Sequence, residues 1–182
     1  MEKYLITAIL LAGAVAFAAV SVGFYFCREK NLERFESFLR NRIAGGVLGA
    51  AALAWCVPQI QVVAWDFLAQ WAWVLAAAAL VLCVKYLDNV VARSVAGLLV
   101  MGAYSFLDMS FDCKLDLGLS GAFPAWVWGS IGIVIAAKPC YLRDYLRLSA
   151  KRSLWRYTAV GLCGISALFL LTATLLFWKV QG

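Results

Sequence analysis

The chain has 182 residues and a formal charge of +6, with 65% hydrophobic and only 14% charged side chains, where an average soluble domain has roughly 45–50% apolar and 25% charged residues. That excludes water as the main solvent, and apolar residues that recur in blocks as long as a bilayer is thick point to one transmembrane helical domain over residues 1–182. Six cysteines stand singly, no histidine occurs, and basic residues fall between apolar blocks, which excludes zinc-finger, histidine-ligated haem and nucleic-acid-binding chemistry.

A helix needs about 20 residues to cross ~30 Å of hydrocarbon, and six segments meet that length. The first runs from Tyr4 to Phe26. Ala16-Phe17-Ala18 resembles a signal-peptide cleavage site, but the apolar run continues to Phe26 and meets a basic cluster, so a retained first span is expected. In the following link Leu32, Phe35, Phe38 and Leu39 recur at helical spacing among charges, and Glu36 precedes Arg40 by four residues. This predicts a short amphipathic helix on the membrane surface, supported by one ion pair.

The second segment, Ile43 to Val63, carries Gly46-x-x-x-Ala50-x-x-x-Ala54 with Gly45 and Gly49 beside it, a groove for close helix packing within the bundle. Near its end, Pro58 removes a backbone hydrogen bond. With Gln59, Gln61, Asp66 and Gln70 it is a candidate outward vestibule. The third segment, Phe67 to Leu87, and the fourth, Val90 to Leu107, are separated by a tight hairpin in which Asp88 and Asn89 can cap. The fifth, Leu117 to Ala137, carries Gly132-x-x-x-Ala136. Pro139 then breaks the chain before a second amphipathic stretch, with Leu142, Tyr145, Leu146 and Ser149 set among Arg143, Arg147 and Lys151. The sixth runs from Tyr157 to Trp178.

Asp88-Asn89-x-x-Ala92-Arg93, then Gly102 after eight residues, with Asp108 and Asp112 further on, resembles the signature of the CDP-alcohol phosphatidyltransferases. The resemblance implies aspartates on two adjacent helices holding a divalent metal that activates an alcohol. The chain departs from the pattern at Lys85, at Asn89 and in the longer gap before Asp108. A helix over Val90 to Leu107 also separates Asp88 from Asp108 by about 30 Å, too far for one metal. The expected arrangement is a capped hairpin on one side and a hydrated acidic loop, Asp108 to Asp116, on the other. Three carboxylates there offer oxygen ligands to a hard cation, though not at EF-hand spacing; no metal or cofactor is expected.

All but Lys3, Lys114 and Lys179 of the sixteen lysines and arginines fall in the first, third and fifth links. The positive-inside rule makes those links cytoplasmic and both termini external. Trp65, Trp71, Tyr104, Trp126 and Trp178 then lie near outer ends, and Phe24, Tyr25, Tyr86, Tyr141, Trp155 and Tyr157 near inner ones, so the eight tryptophans form a belt before a binding site. Every acid and base lies near a span boundary, which disfavours a proton-coupled carrier.

The expected fold is therefore an all-α, polytopic bundle of about six spans, N-out and C-out, with short amphipathic cytoplasmic helices, in a bacterial inner membrane. The cysteines are expected as free, buried thiols. The leading functional expectation is a non-catalytic subunit or scaffold of a membrane assembly, in contact with anionic lipids and with other membrane subunits or further copies of itself. Asp88, Arg93, Arg143, Arg147, Lys151 and Arg152 are the candidate inner-face contacts. A small-solute or ion facilitator is the second expectation, and an enzyme acting on inner-leaflet lipid head groups the third.

Overall fold

The computed structural model describes residues 2–112 and 118–180, and within them the chain is helical apart from short links, with no strand. The helices are α1 (Glu2–Phe26), α2 (Leu32–Arg40, after a 3₁₀ turn at Glu29–Asn31), α3 (Arg42–Val63), α4 (Asp66–Tyr86), α5 (Val90–Asp112), α6 (Gly118–Ala137), α7 (Cys140–Lys151) and α8 (Ser153–Val180). Five stretches are long and apolar enough to cross a membrane: Ile6–Phe26, Arg42–Val62, Asp66–Tyr86, Val90–Phe111 and Ser153–Trp178. A sixth is reached if α6 and α7 count as one span, bent by 109° at their junction. Val62 is 86% exposed and Ile43 80%. Leaving such side chains in water forfeits about 1.5–3 kcal/mol apiece, so hydrocarbon surrounds these helices and the chain is an integral membrane protein.

The links follow from local chemistry. The Asn41 side-chain oxygen accepts from Ile43 N at 2.9 Å and Ala44 N at 3.3 Å, an N-cap for α3. Asn89 turns the chain with a left-handed backbone, φ 57°, which asparagine tolerates better than most residues. Its carbonyl accepts from Arg93 N at 3.3 Å. Pro139 stands between α6 and α7 at the 109° bend, because proline cannot continue the hydrogen-bond ladder. Both expected amphipathic helices form, and the expected pair is made, with Arg40 Nη2 3.6 Å from Glu36 Oε2.

Helix α3 continues past Pro58 to Val63, the expected end of that segment, and one other boundary differs from expectation. Helix α5 runs on to Asp112, so Asp108 stands on a helix rather than in an acidic loop. Cys113, Lys114 and Asp116 lie outside the described residues.

The chain divides into two compact units. One comprises Arg34–Tyr104 and Val127–Arg143. Here glycine positions set the helix directions. A Cβ on Gly46 would meet Val84 at 3.4 Å and one on Gly49 would meet Leu80 at 3.2 Å, while Gln61 Nε2 donates to Ala69 O at 3.4 Å; the register of these contacts makes α3 and α4 antiparallel. Gly45 faces Val90 and Val91, Gly49 faces Ser94, and Gly97 faces Ala52, so α3 and α5 run parallel. Gly129 faces Ala103, and Gly132 faces Val100 and Ala96 O, so α5 and α6 are antiparallel. The Ser94 hydroxyl lies 2.9 Å from both the Gly45 and the Val90 carbonyls, sharing its proton between them.

The small-residue groove is intramolecular, as expected, but shifted in register. Gly45, Gly49 and Ala52 make it, whereas Ala50 and Ala54 are exposed. The reason is rotation: Gly46 faces α4, and the row one residue earlier faces α5.

The other unit comprises Met1–Glu33, Ser105–Trp126 and Asp144–Gly182. Its axis is the antiparallel pair α1 and α8. Trp178 Nε1 donates to Thr7 Oγ1 at 3.1 Å, a Cβ on Gly13 would meet Leu170 at 3.2 Å, and Ser21 Oγ donates to Val160 O at 3.0 Å. The Tyr4 and Trp178 rings close one end edge to face at 6.3 Å. Phe106, near the end of α5, packs its ring 5.5 Å from Phe169. Ile6, Leu10, Phe106, Ala173 and Phe177 help to line a void of about 10 Å³, room for about one water.

At the opposite end, the apolar side of α7 is spent inside the protein. Leu146, Ser149 and Ala150 are buried, and the wholly buried Cys27 directs its thiol at Leu146 O, 3.7 Å away. Among the described residues Ser149 Oγ has no hydrogen-bond partner. A buried hydroxyl left unsatisfied costs about 1–3 kcal/mol of desolvation, so Ser149→Ala is expected to leave stability unchanged or raise it by about 1 kcal/mol. Thermal unfolding of the detergent-purified variant checks this; a lower midpoint would show that the hydroxyl is bonded.

Candidate functional site

The vestibule candidates all lie where α3 hands over to α4. Pro58, Gln61, Asp66 and Gln70 are exposed and Gln59 is half-buried. Gln61 commits its amide to the Ala69 carbonyl, tying the hairpin together, and Asp66 occupies the first turn of α4, where a carboxylate favours the positive end of the helix dipole. Two of the five thus have a local structural role.

The residues of the phosphatidyltransferase-like pattern are not brought together. Helix α5 is unbroken from Val90 to Asp112, so Asp88 precedes its first turn while Asp108 belongs to its closing turns, on one element rather than two adjacent ones. Among the described residues no group of three or more metal-ligating side chains converges.

The inner-face candidates separate into two groups. Asp88 and Arg93 flank the start of α5, both exposed, and Arg143 is half-buried near the start of α7. Arg147, Lys151 and Arg152 lie along the exposed side of α7 and its junction with α8. Spacing explains this second group: four-residue steps put Arg147 and Lys151 on one face, opposite the buried Leu146, Ser149 and Ala150.

Reading by segment missed how the α7–α8 junction is built. The Tyr145 hydroxyl donates to Trp155 O at 3.2 Å and lies 3.4 Å from Thr158 Oγ1, while its ring meets Phe24 at 5.9 Å and Trp155 at 6.1 Å, both edge to face. The Arg156 guanidinium sits 5.4 Å from the centre of the Tyr157 ring, a cation–π distance. Tyr145 thus clamps the first turn of α8 to α7. The signal in the sequence was a tyrosine ten residues before a tryptophan across a break, which no helical period reveals.

Burial raises the Cys27 pKa, and the charge of Arg156 offsets part of that rise, so this thiol is a packing group rather than a nucleophile. Cys140, in contrast, is exposed and Cys56, Cys83 and Cys163 are half-buried, a correction to the expectation of buried thiols, which among the described cysteines Cys27 alone meets. The place of Cys140 at the first turn of α7, beyond the proline bend, turns it out of the helix packing. The tryptophan belt also has an exception, since Trp128 is only 4% exposed and belongs to the core. The chain matches no known protein family, and no curated protein or solved structure is similar to it.

Proposed function

We propose that this protein is a non-catalytic integral membrane component, a subunit or scaffold of a larger membrane assembly. It crosses a bacterial inner membrane six times, with both ends outside and a basic face in the cytoplasm. The observation that carries this is α7. Its apolar side is consumed by the protein's own interior at Leu146, Ser149 and Ala150, so the exposed Lys151 and the adjoining Arg152 are left to meet something outside the chain. Asp88, Arg93 and Arg143 belong to the same face in this reading.

The helix directions support the topology. Antiparallel α1 and α8 bring their outer ends to one side, as an even number of crossings does, which supports counting α6 as a sixth span beside the five helices that are long and apolar enough on their own. With α6 across the bilayer, the 109° bend lays α7 nearly along the membrane surface, where a basic amphipathic helix belongs.

The full chain is purified from its native membrane in mild detergent and weighed by native mass spectrometry. The expected particle is heavier than one chain, and Lys151→Glu with Arg152→Glu reduces it. A particle of one chain, or solute flux through liposomes holding that chain alone, ends this reading.

A further inference from the structure

The geometry points to the α7–α8 elbow as a binding site for the head group of an anionic phospholipid, with Lys151, Arg152 and Arg156 as its cations. Three observations converge there. The first is uncompensated charge: among the described residues no carboxylate is in ion-pair reach of Lys151, Arg152 or Arg156, whereas Arg40 on the other amphipathic helix is neutralised by Glu36. Three adjacent cations without a counter-ion repel one another, and a phosphodiester relieves that repulsion.

The second observation is depth. The elbow immediately precedes the stretch Ser153–Trp178, which is long and apolar enough to span, so these cations stand at head-group level. Trp155 and Tyr157 beside them are partly exposed, and amphipathic rings favour that level. An acidic protein segment of the aqueous phase would have to reach that level, whereas a phospholipid head group stands at it, and this decides for lipid.

The third is rigidity. Tyr145 ties α7 to Trp155 and Thr158, and Arg156 is braced on the Tyr157 ring, so the backbone that carries the cations is fixed before the ligand arrives, which lowers the entropy cost of binding. The chemistry needs only the elbow; that the lipid belongs to the inner leaflet rests on the topology proposed above.

The test uses the full chain in detergent, titrated with phosphatidylglycerol or with phosphatidylcholine of the same acyl chains and followed by native mass spectrometry. Phosphatidylglycerol is expected to bind at least tenfold more tightly, and each cation replaced in Lys151→Gln, Arg152→Gln and Arg156→Gln is expected to cost about fivefold. Arg152→Lys with Arg156→Lys retains binding, and Arg40→Gln, on the other amphipathic helix where Glu36 already offsets the charge, changes nothing. Equal affinity for the two lipids, an unchanged triple glutamine variant, or displacement of the lipid by polyglutamate or by free glycerol phosphate at similar concentration would overturn the proposal. Labelling of the exposed Cys140 from each side of the membrane separately reports the leaflet. Outside labelling would sink the topology while leaving the lipid site standing.

Discussion

Replacing Gly45 with alanine is expected to lower stability by about 1–3 kcal/mol, the usual cost of overpacking a tight contact, on the order of 5 °C in the unfolding midpoint. The new methyl would stand 2.8 Å from Val90 Cβ and 2.9 Å from Val91 N. The second of these is backbone at the start of α5 and cannot rotate away. Gly132→Ala is expected to behave alike, because its methyl would meet Val100 at 2.8 Å and the Ala96 carbonyl oxygen at 3.0 Å. Alanine favours the helix by about 0.5–1 kcal/mol over glycine, so the steric cost must first overcome that gain. Gly161→Ala isolates the gain: its neighbourhood is open, and the variant is expected to match or exceed the wild type. Gly46→Ala, with an ordinary contact of 3.4 Å to Val84, falls between. Size-exclusion chromatography of heated, detergent-purified variants gives the ranking. If Gly45→Ala melts with Gly161→Ala, α3 and α5 do not approach as closely as described.

This ranking marks the limit of what composition and spacing convey. Hydrophobic length located every membrane-length helix within a few residues, because the bilayer imposes it regardless of partners. Helical spacing found α2 and α7, since alternating charge and leucine has one stable arrangement at an interface. The face each helix turns to its neighbours was not legible. On α3, the rows beginning at Gly45 and Gly46 both offer small residues, and a helix all of whose sides tolerate hydrocarbon carries no polar stripe to distinguish its packed side. The same ambiguity hid Trp128, read as a belt residue and found in the core. At the candidate sites, helical spacing put Arg147 and Lys151 on the exposed side of α7 with Arg152 beside them, but the Tyr145 clamp and the position of Arg156 depend on a tertiary contact across a helix break. Pro139 announced that break but not its angle of 109°.

Phe177→Ala is expected to cost about 2–3 kcal/mol, at or just below the low end of the range for removing a buried aromatic ring. In water such a loss has two parts, the transfer of the ring out of solvent and the cavity it leaves. Inside a bilayer the unfolded helix still holds its side chain in hydrocarbon, so the transfer part shrinks and the lost packing remains. Phe177 is 1% exposed and borders the 10 Å³ void beside Leu10, Phe106 and Ala173, and surroundings relax only partly around a deleted ring. Leu175, 71% exposed on the same helix, supplies the comparison, and Leu175→Ala is expected to shift stability by less than about 0.5 kcal/mol. The cavity itself gives a second readout, because dry apolar cavities take up benzene or xenon. Benzene is expected to raise the melting midpoint of Phe177→Ala and leave those of the wild type and Leu175→Ala in place. Equal losses at positions 175 and 177, with no rescue by benzene, would mean that α8 turns a different side toward α1 and Phe106.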